Sequence, residues 1–315
     1  FGWQPAVVAT TLVDALEINT WDITVDREDQ RVFWTNYFNN TDPQGISTCT
    51  YDGADHQVLY GPGDGTKGND WWLNAYRIGH DAKTQNLYWS AATNGASGSL
   101  NRASDSGTGS VEMFNETSGF AEIHLDSDNR LLYSTQGPVG EFYGLWRTSM
   151  DGISGSFEPL LDYYGSGFGI SEGMGFDHTT GMIYFSALTS ICRMPIEIPD
   201  GETPQTRTRE VILETGPDNP SSLKVDHINR RLYWTQTYTA TGKICSINMN
   251  GSGYQELYVP ATGGFQSATN IAIDPSAELL FFINRDGIND SSIMRGLLSL
   301  HSEINPRTMW TSYGT

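Results

Sequence analysis

Residues 223–236 read LKVDHINRRLYWTQ. Leu223 and Val225 alternate with a lysine and end on Asp226. Four turn-like residues follow, and Tyr233 and Trp234 sit in a second apolar run. The alternation predicts two short strands joined by a tight reversal. The same arrangement recurs along the whole chain. Asp26, Asp81, Asp126, Asp177, Asp226 and Asp274 each precede an aromatic by seven residues: Phe33, Tyr88, Tyr133, Tyr184, Tyr233 and Phe281. The offset of seven is constant, whereas successive units lie 55, 45, 51, 49 and 48 residues apart. A fixed inner spacing with a variable outer period predicts a rigid unit joined by connections of different length. Periods of this size belong to propellers and solenoids.

Each unit extends beyond this pair of strands. A third strand is predicted where an aliphatic residue stands two before an arginine: Leu100 and Arg102, Leu145 and Arg147, Ile191 and Arg193, Ile293 and Arg295. Asp52-Gly53, Asp151-Gly152 and Asn250-Gly251 then supply the positive φ angles of tight hairpins. A fourth strand closes five of the units: 57–60, 111–114, 157–161, 211–213 and 256–259. Four antiparallel strands repeated six times predict an all-β, six-bladed β-propeller. The sixth unit lacks a fourth strand of its own. The apolar run at 5–12 is expected to supply it and to close the ring. The blades are then expected at about 17–60, 73–114, 119–162, 170–214, 219–259 and 267–300 plus 5–12, in a single domain over 1–315. The repeat aspartates, each with an arginine two strands away, are expected to satisfy buried polar groups within their own blade.

The motifs FWTN at 33–36 and YWTQ at 233–236, with the strand ending in aspartate, the aliphatic-x-Arg strand and the Asp-Gly turn, resemble the YWTD repeat, or LDL receptor class B repeat. The fourth motif position, aspartate in that family, holds Asn36, Ala91, Gln136, Ala187, Gln236 and Asn284. No cysteine-rich EGF-like stretch accompanies the repeats. The resemblance covers about residues 4–300. It implies a six-bladed propeller that serves as an extracellular, non-catalytic module binding a protein or glycan.

Composition bounds the partners. Eighteen Lys and Arg against 37 Asp and Glu give a net charge of −19. That balance excludes nucleic acid, whose phosphates need clustered cations, and disfavours anionic membrane surfaces. No run of apolar residues reaches the length of a membrane span. A chain opening at Phe1 is expected either to have lost a leader or to be a piece of a longer protein. Cys49, Cys192 and Cys245 are expected as buried free thiols, because matching points on neighbouring blades stand too far apart for a disulfide. Asn39, Asn115, Asn250 and Asn289 lie in Asn-x-Ser/Thr sequons, each in an expected loop or turn. They point to a secreted or cell-surface glycoprotein.

Connections alternate between the two faces of a propeller. Those joining strands one to two and three to four are expected to be short and uniform. Those joining strands two to three, and blade to blade, are longer and carry Trp71, Trp72, Phe142, Tyr143, Tyr163, Tyr164, Phe168 and Phe265. Exposed Trp and Tyr are common interface anchors, so these residues are the candidate partner-binding set. At the channel mouth on this face, Asp22, Glu122, Glu172 and Asn270 offer hard oxygen ligands of the kind Ca²⁺ takes. Calcium-dependent lactonases and strictosidine-synthase-like enzymes also use six-bladed rings, so a channel-mouth hydrolase is one alternative function. A self-associating subunit of an extracellular filament or matrix is another. His80 and His124 fall within inner strands, a regular placement that suggests repeat structure rather than an active site.

Overall fold

A computed structural model describes residues 8–16, 19–37, 45–61, 75–92, 98–117, 122–137, 141, 143–152, 157–216, 219–236, 242–285 and 291–299. An N-terminal strand, β1 (Thr10–Leu16), precedes the first blade, β2 (Asn19–Asp26), β3 (Arg31–Tyr37), β4 (Gly45–Thr50) and β5 (Gln57–Tyr60). The second holds β6 (Ala75–Asp81), β7 (Asn86–Ala92), β8 (Gly98–Ser104) and β9 (Glu112–Thr117). The third holds β10 (Ile123–Asp126), β11 (Leu131–Gln136), β12 (Tyr143–Ser149) and β13 (Glu158–Asp162), followed by a single turn, α1 (Tyr163–Ser166). The fourth holds β14 (Met174–Asp177), β15 (Met182–Ala187), β16 (Ser190–Pro195) and β17 (Glu210–Glu214). The fifth holds β18 (Pro220–Asp226), β19 (Arg231–Gln236), β20 (Lys243–Asn248) and β21 (Gln255–Tyr258), followed by α2 (Pro260–Gly263). The sixth holds β22 (Ala268–Asp274), β23 (Leu279–Arg285) and β24 (Ser291–Leu297), with β1 as its outer strand. Six four-stranded antiparallel sheets thus form the ring.

The closing strand is the N-terminal one, as expected, but Val8 and Ala9 stand outside it and it runs from Thr10 to Leu16, past the expected end at 12; residues 5–7 lie outside the described residues. Its register sets Thr10 opposite Arg295 and Val13 opposite Ile293. Small and apolar residues run on from 6 to 13 and again at 15 and 16, so the local pattern cannot choose where pairing starts. A second correction concerns β9, which reaches Thr117 and so takes Asn115 into a strand instead of a loop.

The spacing of seven has a structural cause. Every repeat aspartate pairs in register with the residue five later, as Asp26 does with Arg31 and Asp226 with Arg231. Within the turn, the residue four after the aspartate has a left-handed backbone: Gln30, Gln85, Arg130, Gly181, Arg230 and Glu278 have φ between 52° and 66°. The aspartate carboxylate accepts N–H bonds from its own turn, as from Asn129 N at 3.0 Å and from Asn229 N at 2.9 Å. Such side-chain turns fix loop length. The aromatic two residues into the next strand therefore always falls at the same place.

That aromatic and its successor face opposite ways. Phe33 packs with blade two, whereas Trp34 packs with blade six. Tyr184 faces blade five and Phe185 faces blade three. Six apolar clusters result, one between each pair of neighbouring blades. Trp34, Trp89 and Trp234 are fully buried in them. Each indole removes roughly 150–250 Å² from water, on the order of 4–6 kcal/mol before entropy is counted. The three cysteines are buried free thiols.

The arginines do not serve the aspartates as expected. Arg102, Arg147 and Arg193 pair outward with Glu112, Glu158 and Glu210 across strands three and four of their own blades. The aspartates are reached from the next blade instead: Arg130 pairs with Asp81, Arg230 with Asp177. Strand three lies opposite the aromatic, with Tyr88 facing Arg102 and Tyr133 facing Arg147. It is too far along the blade to reach the strand-one terminus.

Candidate functional site

The inner strands begin at one channel mouth, and a repeated hydroxyl sets the residue there. The third residue of the aromatic motif accepts the backbone N–H of the residue at the mouth. Asp22 N donates to Thr35 Oγ1 (3.0 Å), Arg77 N to Ser90 Oγ (3.3 Å), Glu122 N to Thr135 Oγ1 (2.9 Å) and Glu172 N to Ser186 Oγ (3.1 Å). Asp22, Arg77, Glu122 and Glu172 are in this way held at the same end of the ring, and Asn270 joins them by donating its side-chain N–H to Asp22.

Their side chains satisfy one another. Asp22 accepts from Ile78 N through Oδ2 and from Asn270 Nδ2 through Oδ1, each at 3.0 Å. Arg77 forms a buried ion pair with Glu122 and lies 4.5 Å over the Tyr76 ring. Burial pushes the Glu122 carboxyl up, Arg77 opposes this, and Asp22 adds to it. Glu172 Oε2 accepts from Ser221 Oγ at 3.1 Å. Arg285 donates to Thr20 O (3.1 Å) over the Trp21 ring; burial and the charge of Arg77 pull its guanidinium below the usual arginine range. The four expected metal ligands therefore share one mouth, with a guanidinium on Glu122. A cation bound there by Glu122 must displace Arg77. Among the described residues, the one His/Cys/Asp/Glu group with three ligand atoms within 4.8 Å lies elsewhere, at Asp26, His80 and Asp105.

Below the mouth runs a cavity of about 450 Å³ lined by Ile23, Ile78, His124, Met174, Phe176, Lys224 and their neighbours. His124 stacks on Phe176 at 4.2 Å. Burial, helped by the charges of His178 and Lys224, pulls its imidazole down to about 3. His124 is therefore neutral at physiological pH. Neither Lys224 nor Arg285 stood out in the sequence, because a single basic residue near a strand carries no spacing signal.

The expected aromatic face divides in two. Tyr143 and Tyr164 are 48% and 78% exposed, and their rings meet edge to face at 6.4 Å. Tyr164 sits on α1, whose cap Asp162 accepts from Tyr164 N and Gly165 N. Tyr163, Phe168 and Phe265 turn inward. Phe265 is buried against Phe282, Phe168 stacks on Phe185 beneath Arg209, and Tyr163 packs on the same cluster. These three belong to the core edge. Leu188, absent from the expected set, is 71% exposed in the turn joining β15 to β16 on the same face. Trp71, Trp72, Phe142, Asn39 and Asn289 lie outside the described residues, as does the side chain of Asn115. Asn250 is exposed in the β20–β21 turn and accepts from Ser252.

The opposite face is less uniform than expected. In blade four the connection over 196–209 is long and folds along blade three. Arg207 donates to Leu160 O at 2.9 Å, and Asp162 N donates to Pro204 O at 2.8 Å. This strap supports the turn that presents Tyr164.

No family model and no curated protein sequence matches the chain. Solved structures do. A chain in the crystal structure of a nidogen/laminin complex matches with TM-score 0.54 at 15% identity, over 84% of this chain and 84% of that one. XC5397, a gluconolactonase from Xanthomonas campestris, matches with TM-score 0.60 at 16% identity, over 93% and 91%. The calcium-binding protein regucalcin from Agrobacterium tumefaciens matches with TM-score 0.60 at 12% identity, over 94% and 96%. At these identities the likeness is one of fold.

Proposed function

We propose that this chain is a non-catalytic recognition module of the extracellular or cell-surface space. It binds a protein partner through the blade three and four sector of its loop-rich face. The carrying observation is the exposed Tyr143–Tyr164 pair, held by a capped turn and the strap behind it. Rigid tyrosines offer large contact area at small entropic cost, and such anchors dominate interface energies. Leu188 adds apolar surface on the same face of blade four. The resemblance to YWTD repeats, the sequons and the nidogen/laminin neighbour support an extracellular protein partner over a glycan or self-assembly into a filament. The test is surface plasmon resonance against a panel of matrix proteins, laminin included, alongside a glycan array. A Tyr143→Ala/Tyr164→Ala variant should bind the partner at least tenfold more weakly, at about 1.4 kcal/mol per tenfold, with unchanged melting. Equal binding by both proteins refutes this surface.

A second reading rests on a different observation. Asp22, Glu122, Glu172 and Asn270 gather at one mouth, in a fold shared with a gluconolactonase and regucalcin. It assigns them to a Ca²⁺ site for lactone hydrolysis. Titration with CaCl₂ separates the readings: binding that disappears in Glu122→Gln supports hydrolysis, and no binding removes it.

A further inference from the structure

The residue after each third strand donates its backbone N–H to the carbonyl of the left-handed turn residue. Tyr51, Asp105, Met150, Ile196, Met249 and Leu298 do so at 2.8–3.0 Å. The side chain at this position faces the preceding blade. In five blades it is apolar and buried in the inter-blade cluster. Blade two carries Asp105. The residue before each repeat aspartate faces the same way and is also apolar in five blades, as Val25, Leu125, Phe176, Val225 and Ile273. Blade two carries His80. Both departures from the repeat thus occur at one interface, and both point at the first blade's Asp26.

There they converge. His80 Nε2 lies 2.8 Å from Asp105 Oδ2 and 3.8 Å from Asp26 Oδ2, with all three side chains at most 6% exposed. Asp26 Oδ2 is buried and accepts no hydrogen bond. In two blades an arginine four residues after the next repeat aspartate answers this oxygen, Arg130 for Asp81 and Arg230 for Asp177; here that place holds Gln85. The nearby Arg31 guanidinium donates to the Asp105 backbone carbonyl, not to its carboxylate. Two buried carboxylates therefore share one imidazole. The two carboxylates bring a formal charge of −2 beside the single Arg31 guanidinium, and a buried charge is costly unless it is matched. A divalent cation with neutral His80 brings the cluster to zero.

We propose that His80 Nε2, Asp26 Oδ2 and Asp105 Oδ2 bind a zinc ion that cross-links blades one and two. Zn²⁺ accepts one imidazole and two carboxylates at about 2.0–2.2 Å, which sets tetrahedral ligand atoms roughly 3.3–3.6 Å apart. The separations of 2.8 and 3.8 Å bracket that value, so small rotamer adjustments complete the site. Water takes the fourth position. The ion enters through the axial cavity, which His80 lines.

The test titrates EDTA-stripped protein with ZnCl₂ by calorimetry and reads metal content by mass spectrometry. Wild type should take up one Zn²⁺ per chain and melt several degrees higher with it. His80→Phe/Asp105→Met installs residues that blades four and three carry at these positions, so it should fold. It should take up no Zn²⁺ and melt at the same temperature with or without it. Asp105→Asn, nearly isosteric, should weaken binding at least tenfold, whereas Glu122→Gln at the channel mouth should bind as wild type does. Failure of wild type to take up a stoichiometric ion, or undiminished uptake by the double variant, overturns the proposal.

Discussion

His124 shows how one enclosed side chain governs pH dependence. It lines the axial cavity between Phe176 and Tyr133 and close to Lys224 and His178, and its imidazole is held down to about 3. In the unfolded chain the same group titrates near pH 6.5. Between those values the unfolded state binds a proton that the fold refuses. Stability is therefore full above about pH 6.5 and is withdrawn as pH falls, by at most about 1.4 kcal/mol per unit. His124→Phe keeps the stacking and removes the proton. Chemical denaturation from pH 7 to 4 should show a smaller loss for the variant than for wild type; parallel curves contradict the assignment. The repeat aspartates were legible at this scale because a turn closed by its own carboxylate is a local device. The Arg130–Asp81 contact was not, since it joins residues 49 apart and only Arg130 and Arg230 among the six equivalent positions are basic. Asp105 was legible only by aligning the unit with its siblings, which expose a carboxylate where Met150 or Leu298 should be.

At the scale of elements, the inner strands approach closely wherever one of them lacks a side chain. A Cβ at Gly173 would stand 2.3 Å from Leu223 N, and one at Gly175 would stand 2.6 Å from Val225 Cγ2. The first clash is with backbone, which no rotamer change relieves. Gly173→Ala must therefore shift the inner strand of blade four from that of blade five. It should cost about 1–3 kcal/mol, the usual range for overpacking. Urea denaturation measures it, and a change within 0.5 kcal/mol contradicts the close approach. Strand identity was readable because aromatic pairs such as Tyr233-Trp234 serve opposite faces of one sheet. Connection length was less readable: the strap over 196–209 carries no periodicity, and its course is set by Arg207 reaching Leu160 in the neighbouring blade. The mouth carboxylates were found as hard oxygen donors at the starts of the inner strands. The neutralisation of Glu122 was not, because a place in the strand says nothing about which carboxylate Arg77 meets.

For the molecule as a whole, the six inter-blade clusters are equivalent in kind, but two of them draw on the N-terminal segment, Ala9 entering the cluster between blades five and six. Val13 of β1 joins Ile293, Phe281 and Trp34 in the cluster between blades six and one. The ring is then closed by the pairing of both ends of the chain in one sheet, and the loop-rich face rests on that rigidity. Hydrogen–deuterium exchange over peptides covering Thr10–Leu16 tests this most directly. Closure predicts that β1 exchanges as slowly as β23, on the timescale of global unfolding. Exchange of β1 within minutes while β22 to β24 stay protected contradicts it.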